Sequence, residues 1–388
     1  MKKTKDYDYV VIGAGIAGSC VSHFLKEDKV LLIDRFEDVA QFASGVAGGF
    51  LSPLLGKPNK FKELVTKSLS FAVDFYKSLD ESLIVQKGVL RVPKDEDDRL
   101  KFDVYKKHFD FEWEEKEGGF FFKIGSQVFS YELCKKLTLN VDKIFNYEVK
   151  HIKYKEGTWI INDEIKTKNI ILTTGSDIKL IDEEYINIRA VWRQRIDIST
   201  TTCIDFNYHK ECSISTSYNK VTNDLYKVSI GATHHRFESK LEKDFKAFEN
   251  QSLSNLSNIG YTNELYKKDT LELLEKANNI KTLNDVKVLK TYFGARASSF
   301  DYFPIVGSLV DSKETLNMFP YLKNGTHVKS DRFIRHDNLF ILNGVGGRGF
   351  VLSPYLAKKL VDFIKKKDTL DDEITVDRLF KKWVRRNK

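Results

Sequence analysis

The sequence predicts an α/β protein in which a parallel-sheet domain is interleaved with a second, α+β domain. An apolar strand near the start of the chain runs into a glycine-rich turn and a helix, and a second apolar strand follows. This order is that of a βαβ unit, whose two strands pair in parallel. Because single cores stop growing at about 250–300 residues and this chain has 388, we expect two domains.

The composition is typical of a globular protein, with 41% hydrophobic and 30% charged residues. No apolar run approaches the length of a membrane span. The basic start of the chain and the small residues before Cys20 imitate a lipoprotein signal, but Asp6, Asp8 and several glycines interrupt that pattern. We therefore expect the chain to begin near Met1 and to act in the cytoplasm.

The charge and the cysteines bear on the possible partners. The net charge of +8 fits a phosphate-bearing partner, although a lysine-rich solvated surface is the simpler interpretation. Cys20, Cys134, Cys203 and Cys212 lie far apart and form neither a CxxC motif nor a Cys/His cluster. The sequence thus predicts reduced thiols and no metal site.

The first turn has the pattern of a dinucleotide-binding site. A β-branched run over residues 7–12 leads into Gly13-Ala14-Gly15-Ile16-Ala17-Gly18, in which the glycines permit a tight turn, a close approach to a pyrophosphate and close packing of helix on strand. The second strand, over residues 29–33, ends in Asp34, 21 positions after Gly13. An acid about 20 residues on binds ribose hydroxyls in such sites. Arg35 would also suit a 2′-phosphate, so this turn alone leaves FAD and NAD(P) both open.

Further segments, taken in chain order, resemble the D-amino-acid oxidase and glycine oxidase superfamily. Residues 42–53 are rich in small side chains and resemble its ASG-x-x-x-G stretch, and residues 170–176 resemble its apolar strand ending in T/A-x-G. Three later matches are Ile230-Gly231-Ala232-Thr233 with the IGAT strand of glycine oxidases, residues 293–307 with their G-x-R…D-x-x-P-x-x-G run, and residues 339–350 with the closing G-x-G-x-x-G motif.

The resemblance implies FAD as the cofactor and a Rossmann-like domain of the glutathione-reductase and D-amino-acid oxidase type. It implies an FAD domain made of residues 1–84, 125–185 and 325–388, and a substrate domain of residues 85–124 and 186–324 with a large mixed or antiparallel sheet. The implied cofactor-binding residues are Gly13, Ala14, Gly15, Ile16, Ala17, Gly18, Asp34, Arg35, Ser44, Gly45, Ala47, Gly48, Gly49, Thr174, Gly175, Gly346, Gly347, Arg348, Gly349 and Phe350.

Periodicity adds individual elements to this plan. Strand-like runs in the substrate domain cover residues 189–198, 212–216 and 225–230, and helical patterns cover residues 238–251 and 263–277. A helix over residues 61–78 is expected to cover the FAD domain.

Candidate substrate-binding residues follow from the same resemblance. Arg296 occupies the G-x-R position, and its guanidinium suits a bidentate contact with a substrate carboxylate, with a structural ion pair to Asp301 as the alternative. Arg348 lies in the closing glycine loop, where it would contact substrate or hold the loop through carbonyl hydrogen bonds. Lys57 could approach the flavin or a tRNA phosphate, although a solvated loop lysine is the simpler interpretation. His234 and His235 are expected at the surface or at a domain edge, because neighbouring strand residues point in opposite directions.

Within the superfamily, residues 43–57 and 346–349 resemble the FAD half of the MnmC family, which matures carboxymethylaminomethyluridine and its 2-thio form at the tRNA wobble position. The resemblance implies loss of the carboxymethyl group by hydride transfer to flavin and imine hydrolysis, giving the aminomethyl base and glyoxylate. No methyltransferase half is found in this sequence, which fits either a stand-alone version with a separate methyltransferase partner or a relative that acts on another amine. The apolar run over residues 46–49 departs from the polar residues of that family.

Two other functions stay open at this point. The first is an oxidase or dehydrogenase of free glycine, sarcosine or a D-amino acid, since Arg296 serves any amine with a carboxylate on the oxidised carbon. The second is a flavoprotein that binds FAD for stability and acts as a scaffold, against which the arginine and the closing loop argue.

Overall fold

The structure, a computed structural model, describes residues 6–222, 224–235 and 263–387. Within these residues the chain forms one large, mostly parallel sheet and one large, mostly antiparallel sheet, each with helices packed against it. The predicted α/β architecture is confirmed. The predicted helix over residues 238–251 lies outside the described residues.

The first sheet is built around the strand that precedes the glycine turn. β1 (Asp6–Ile12) lies between β2 (Val30–Ile33) and β12 (Ile165–Leu172), and both pairings are parallel. β9 (Asp142–Ile144) continues the parallel order beyond β2. These strands carry near-continuous apolar runs because both faces of a parallel sheet are covered. Their carboxyl ends therefore open together at one edge of the sheet.

Strand β12 has two partners along its other edge. Its first residues pair antiparallel with β11 (Thr158–Ile161), which forms a hairpin with β10 (Ile152–Lys155). Its last three residues pair in parallel with β20 (Arg335–Asn343). β19 (Ile305–Val310) lies antiparallel beyond β20. Because β19 falls inside the segment predicted for the substrate domain, the chain returns to the first sheet before residue 325.

Helices cover both faces of this sheet. On one face lie α1 (Ile16–Phe24), α3 (Lys60–Leu79), α5 (Ser130–Leu137) and α8 (Gly349–Ile364), whose inner side chains belong to one buried core cluster with β1 and β2. On the other face, α9 (Asp377–Arg386) buries Phe380 in a second cluster. The helix predicted over residues 61–78 is therefore confirmed as α3.

The second sheet is mixed, as predicted. Its strands pair antiparallel except β14 and β5, which are parallel. One face is covered by α6 (Asn263–Asn278), whose Leu273 joins a core with Ile196 and Ile230. In spatial order the strands are β18 (Lys287–Ser299), β13 (Ile188–Thr200), β17 (Leu225–Gly231), β15 (Ser213–Ile214), β14 (Asn207–His209), β5 (Val89–Arg91), β7 (Gly119–Phe122) and β6 (Trp113–Lys116), with β16 (Asn219–Thr222) also on β17.

Shorter elements complete the fold. They are α2 (Ala43–Val46), α4 (Glu96–Tyr105), α7 (Ser312–Met318), and a small sheet of β3 (Phe50–Leu51), β8 (Ser126–Val128) and β4 (Ile84–Val85). Phe102 of α4 packs on Phe120 and Phe122 at the far end of the second sheet.

A buried lysine joins α3 to the first substrate-domain segment. Lys62 is only 3% exposed, and its Nζ donates to the carbonyl of His108 at 2.6 Å and to the carboxylate of Asp110. Thr66, one turn further on α3, donates to the same carboxylate at 3.0 Å. The helix is thereby attached to the loop at residues 106–110.

A second polar group lies on the opposite side of the first sheet. His336 Nε2 is 2.6 Å from an oxygen of buried Glu183, and its Nδ1 is 3.8 Å from Asp311. The Glu183 hydrogen bond is the main cause that raises the pKa of His336 above its ordinary value. The ligating atoms of these three side chains lie within 4.8 Å of one another. No pattern in the sequence predicted this group.

Two further findings concern the predictions from composition. All four cysteines are free, with Cys20, Cys134 and Cys212 buried, which fits the prediction of reduced thiols. Among the described helices, none combines the length and the apolar character needed to cross a bilayer.

Candidate active site

A cleft of about 1000 Å³ lies between the two sheets. Its floor is formed by the first glycine turn, by residues 41–50 and by residues 173–175 at the end of β12. Its roof comes from strands β5, β13, β14 and β18 of the second sheet, and residues 343–350 close one end. The segments that resemble superfamily motifs thus meet in one place, although they are spread over the whole chain.

The first turn has the geometry of a nucleotide cradle. Gly13 has a φ of +108°, and a Cβ at Gly18 would collide with the Gly13 carbonyl, so glycine is required at both positions. Asp34 accepts hydrogen bonds from the backbone N–H groups of Ala14 at 2.5 Å and Phe36 at 3.0 Å. Burial raises the pKa of this carboxyl. Asp34 therefore holds the turn against the second strand.

The cleft walls leave room for a bulky ligand. Gly175 lines the cleft with a φ of +64°, and a Cβ there would meet no atom within 4 Å, so it would project into open space. At Gly15 a Cβ would meet only the Ser44 hydroxyl, at 3.1 Å. That hydroxyl accepts a hydrogen bond from Ile16 N at 2.9 Å. Backbone rather than side chains thus faces the cleft, which fits the close approach of a dinucleotide.

Most of the predicted cofactor-binding residues line this cleft. Arg35 is among them and pairs with Asp177 at 3.0 Å. The residues on the cleft wall are Gly13, Gly15, Ile16, Ala17, Asp34, Arg35, Ser44, Ala47, Gly48, Gly49, Thr174, Gly175, Gly346, Gly347, Arg348, Gly349 and Phe350.

Four predicted residues lie elsewhere. Ala14, Gly18 and Gly45 are behind the wall, where Gly18 packs against Gly13 and a Cβ at Gly45 would collide with the Ala40 carbonyl. Their contribution is to the shape of the turns. Lys57 is exposed and does not line the cleft, which fits the simpler interpretation of a solvated loop lysine and not an approach to the flavin.

The two strands at the edge of the second sheet contribute two arginines to the cleft. Arg296 on β18 and Arg193 on β13 point into it from the same face, since Arg193 pairs with Gly294 in the antiparallel register. Gly294 is needed because a Cβ would press on Val46 at 2.9 Å, and a Cβ at Gly347 would collide with the Arg296 guanidinium. The closing loop therefore lies directly against Arg296.

Asp301, the alternative partner predicted for Arg296, pairs with Arg378. Asp301 accepts hydrogen bonds from Arg378 Nε at 2.9 Å and Nη2 at 3.1 Å, a bidentate pair. Arg378 also donates to the carbonyl of Phe303 at 2.9 Å. This pair fastens the turn after β18 to the C-terminal helix α9.

Two more arginines approach the cleft from other elements. Arg348 donates to the carbonyl of Ser52 at 3.1 Å, and Arg91 on β5 donates to the carbonyl of Pro53 at 2.9 Å. Burial, reinforced by Arg348, lowers the pKa of Arg91 to about 9. Burial and the neighbouring Arg296 lower the pKa of Arg348 to about 10. Sequence reasoning did not find Arg91 or Arg193, because neither lies in a motif.

Two histidines also line the cleft. His234 contacts Arg193, and burial followed by the charges of Arg193 and Arg296 lowers its pKa to about 4. His209 lies 2.7 Å from the Ser213 hydroxyl, and burial and then Arg91 hold its pKa well below the ordinary value. Both imidazoles are therefore neutral near pH 7.

The two neighbouring histidines point in opposite directions, as predicted. His235 points away from the cleft and lies 2.7 Å from buried Asp269, as expected for neighbours on an extended chain. His234 is exposed and lines the cleft between the two sheets. The strand ends at Gly231, so alternation alone did not reveal which of the two faces inward.

Curated relatives of this chain are bacterial tRNA-modification proteins. The "tRNA 5-methylaminomethyl-2-thiouridine biosynthesis bifunctional protein MnmC" of Campylobacter fetus is 23% identical over 376 residues, and that of Legionella pneumophila strain Corby is 24% identical over 396 residues. Each alignment covers 92% of this chain, but only 56% and 54% of the relatives. The chain thus spans about half the length of these proteins.

Solved structures share the fold at lower identity. Glycine oxidase from Geobacillus kaustophilus superposes with a TM-score of 0.69 at 15% identity, covering 95% of this chain and 97% of that one. Iminodiacetate oxidase from Chelativorans sp. BNC1 gives 0.67 at 14% identity, covering 95% and 98%. The family model described as "FAD dependent oxidoreductase" (DAO) matches residues 8–363. The chain therefore belongs to this family of FAD-dependent oxidoreductases.

Proposed function

We propose that this protein removes the carboxymethyl group from 5-carboxymethylaminomethyluridine, or its 2-thio form, in tRNA. The observation that carries the proposal is the group of arginines at the roof of the cleft, around Arg296, facing the glycine-lined floor. The similarity to MnmC proteins supports the choice of substrate. The fold shared with amine oxidases supports the reaction class.

The residues that would hold FAD are those of the glycine cradle. Asp34 lies at the end of β2, where it would face the ribose, and the start of α1, with Gly15 and Ala17 on the cleft wall, would face the pyrophosphate. When bound, FAD supplies the acceptor for the hydride that leaves the methylene carbon between the amine nitrogen and the carboxylate. Water then hydrolyses the imine to the aminomethyl base and glyoxylate.

The protein's own part is to position the substrate. Arg296 would bind the substrate carboxylate in a bidentate contact, which places the adjacent methylene carbon at the cofactor side of the cleft. Gly347 keeps the loop close without displacing this guanidinium. His234, neutral near pH 7, adds no competing positive charge at the amine. Loss of a hydride needs no strong side-chain base, and none is assigned here.

A second candidate is oxidation of a free amino acid such as glycine, sarcosine or a D-amino acid. The observation that favours it is Arg296 itself, because a carboxylate beside the oxidised carbon is common to both substrate classes. In the tRNA reaction a separate methyltransferase would act on the aminomethyl product in the cytoplasm.

Anaerobic bleaching of the flavin absorption band tests the proposal. Purified holoenzyme is mixed with tRNA that carries carboxymethylaminomethyluridine, with tRNA that lacks this group, and with each free amino acid. We expect bleaching by the first tRNA alone, together with release of glyoxylate. Bleaching by a free amino acid and by neither tRNA would reject the tRNA function and favour the second candidate.

A further inference from the structure

The cleft holds more positive charge than one carboxylate requires. Arg91, Arg193 and Arg348 line it with Arg296, and the first three form no ion pair with a carboxylate of the described chain. By contrast, Arg195, which lies on β13 with Arg193, pairs with buried Asp197 at 3.4 Å. Guanidinium groups buried near one another without anions are unfavourable, so a ligand with more than one negative charge fits this cleft better than glycine.

The surplus charge is concentrated around β5 and β14. Arg91 and His209 are register partners on these parallel strands, and Lys94 and Lys210 line the adjoining part of the cleft. Asp98 is the acid that attracts Arg91 there, and one of its oxygens accepts a hydrogen bond from Lys94 N at 3.1 Å. Glu211 also lines this part of the cleft, and Arg91, Lys94 and Lys210 outnumber the two acids.

The Arg91 guanidinium has further hydrogen-bond donors. One of its nitrogens bonds to the Pro53 carbonyl, whereas its buried Nε has no hydrogen-bond acceptor among the described residues. A buried donor without an acceptor is costly in a folded protein. The geometry of a guanidinium fork matches two oxygens of one phosphate, and an uncharged His209 beside it adds a further possible donor or acceptor.

We propose that Arg91 and Arg348 form a phosphate subsite, distinct from the carboxylate position at Arg296, that binds a backbone phosphate next to the reacting uridine. The two guanidinium groups are fixed by the consecutive carbonyls of Ser52 and Pro53. This inference rests on the proposed function and narrows the substrate class to a nucleotide. A phosphate subsite would give a role to Arg91, which lies on β5, away from Arg296 on β18.

Ligand binding to the FAD-loaded protein tests the subsite without catalysis. Perturbation of the flavin spectrum gives the Kd of uridine and of uridine 3′,5′-bisphosphate. The bisphosphate should bind at least about tenfold more tightly than uridine, as expected for charge-assisted hydrogen bonds, and the difference should shrink with added salt. Equal Kd values in the wild-type protein would overturn the proposal.

Variants of Arg91 test whether this residue causes the preference for the bisphosphate over uridine. Arg91→Gln should abolish most of the preference for the bisphosphate, and Arg91→Lys should keep part of it because the charge remains. Exposed Arg385 on α9 provides the control, and Arg385→Gln should leave the preference unchanged. An Arg91→Gln protein with the wild-type preference would exclude Arg91 from the subsite.

Two outcomes separate this inference from the proposed function. If the bisphosphate preference depends on Arg91 but modified tRNA does not bleach the flavin, only the tRNA reaction is wrong. If modified tRNA is oxidised but the preference is absent, only the subsite is wrong. Should Arg91→Gln not fold, Arg91→Lys and competition by inorganic phosphate for the wild-type protein decide the matter, and phosphate that fails to weaken bisphosphate binding contradicts the proposal.

Discussion

Arg91 and Arg348 donate hydrogen bonds to the carbonyl oxygens of two consecutive residues, Pro53 and Ser52, at 2.9 and 3.1 Å. Arg91 belongs to the second sheet, whereas Arg348 belongs to the turn that opens α8 on the first. Residues 52–53 therefore anchor side chains from both domains. The distance between the two charges is set by the fold and not by an acid placed between them.

Replacement of Arg296 tests the carboxylate contact. Arg296→Gln should lower kcat/KM for a carboxylate-bearing amine by roughly 10–100-fold, because a charge-assisted hydrogen bond contributes about 1.5–3 kcal/mol. Arg296→Lys should recover only part of this loss, since an ammonium group lacks the guanidinium fork. Steady-state kinetics at equal flavin content provide the measurement. A wild-type kcat/KM in Arg296→Gln would place the carboxylate elsewhere.

The glycine cradle can be tested with two substitutions that share the same backbone strain. Gly13 and Gly157 both have positive φ values, but a Cβ at Gly13 would meet the Thr173 carbonyl, whereas a Cβ at Gly157 meets nothing within 4 Å. Strain of about 1–2 kcal/mol is expected at each. Gly13→Ala should lose most of its bound FAD, measured from the ratio of flavin to protein absorbance. Equal FAD content in the two variants would contradict the cradle.

The buried lysine on α3 should matter for stability. Lys62→Met removes the charged donor to the His108 carbonyl and to the Asp110 carboxylate, and we expect a loss of roughly 1–3 kcal/mol because charge-assisted hydrogen bonds are lost at a buried side chain. Lys67→Met, which breaks an exposed pair with Glu63 on the same helix, is the matched control and should cause no measurable change. Urea unfolding midpoints compare the two. Similar midpoints would show that the Lys62 attachment is dispensable.

His336 should make stability depend on pH. Its pKa is raised in the folded protein, so its contribution is fully present below the unfolded value of about 6.5 and is lost as pH rises through the folded value. The Tm difference between wild type and His336→Gln should therefore be larger at about pH 6 than at about pH 9, by roughly one to three degrees. His151, which contacts Asp163 at the exposed surface, is the control. A difference that is the same at both pH values would rule out this linkage.

Local spacing predicted the nucleotide-binding half of the molecule well. The strand, turn and acid from residue 7 to Asp34 lie in one continuous βαβ unit, so their geometry follows from the chain itself. The sequence did not predict which sheet β19 joins. It is an antiparallel strand beyond β20, and nothing in a short apolar run reveals which of two sheets it joins.

The roof of the cleft was harder to predict for a different reason. Arg91, Arg193 and His209 lie on three strands of the second sheet and come together only through its pairing. No motif surrounds them, and an arginine on a strand has no sequence signature that separates a cleft from a surface. Arg296 was found because it stands inside a family motif, and its neighbour Gly347 because glycines mark the closing loop.

Strand β12 pairs with both β11 and β20 along one edge, and this arrangement affects how the protein folds. Residues 170–172 pair with β1 on one edge, but on the other edge their partner is β20, which lies more than 160 positions further along the chain. That edge therefore stays open during synthesis until the β20 segment has been made. Contacts of such long sequence separation form late. An unpaired edge is also a place where another chain can add. We therefore expect newly made chains to depend on chaperones until the C-terminal segment has docked and completed the floor beneath the cleft.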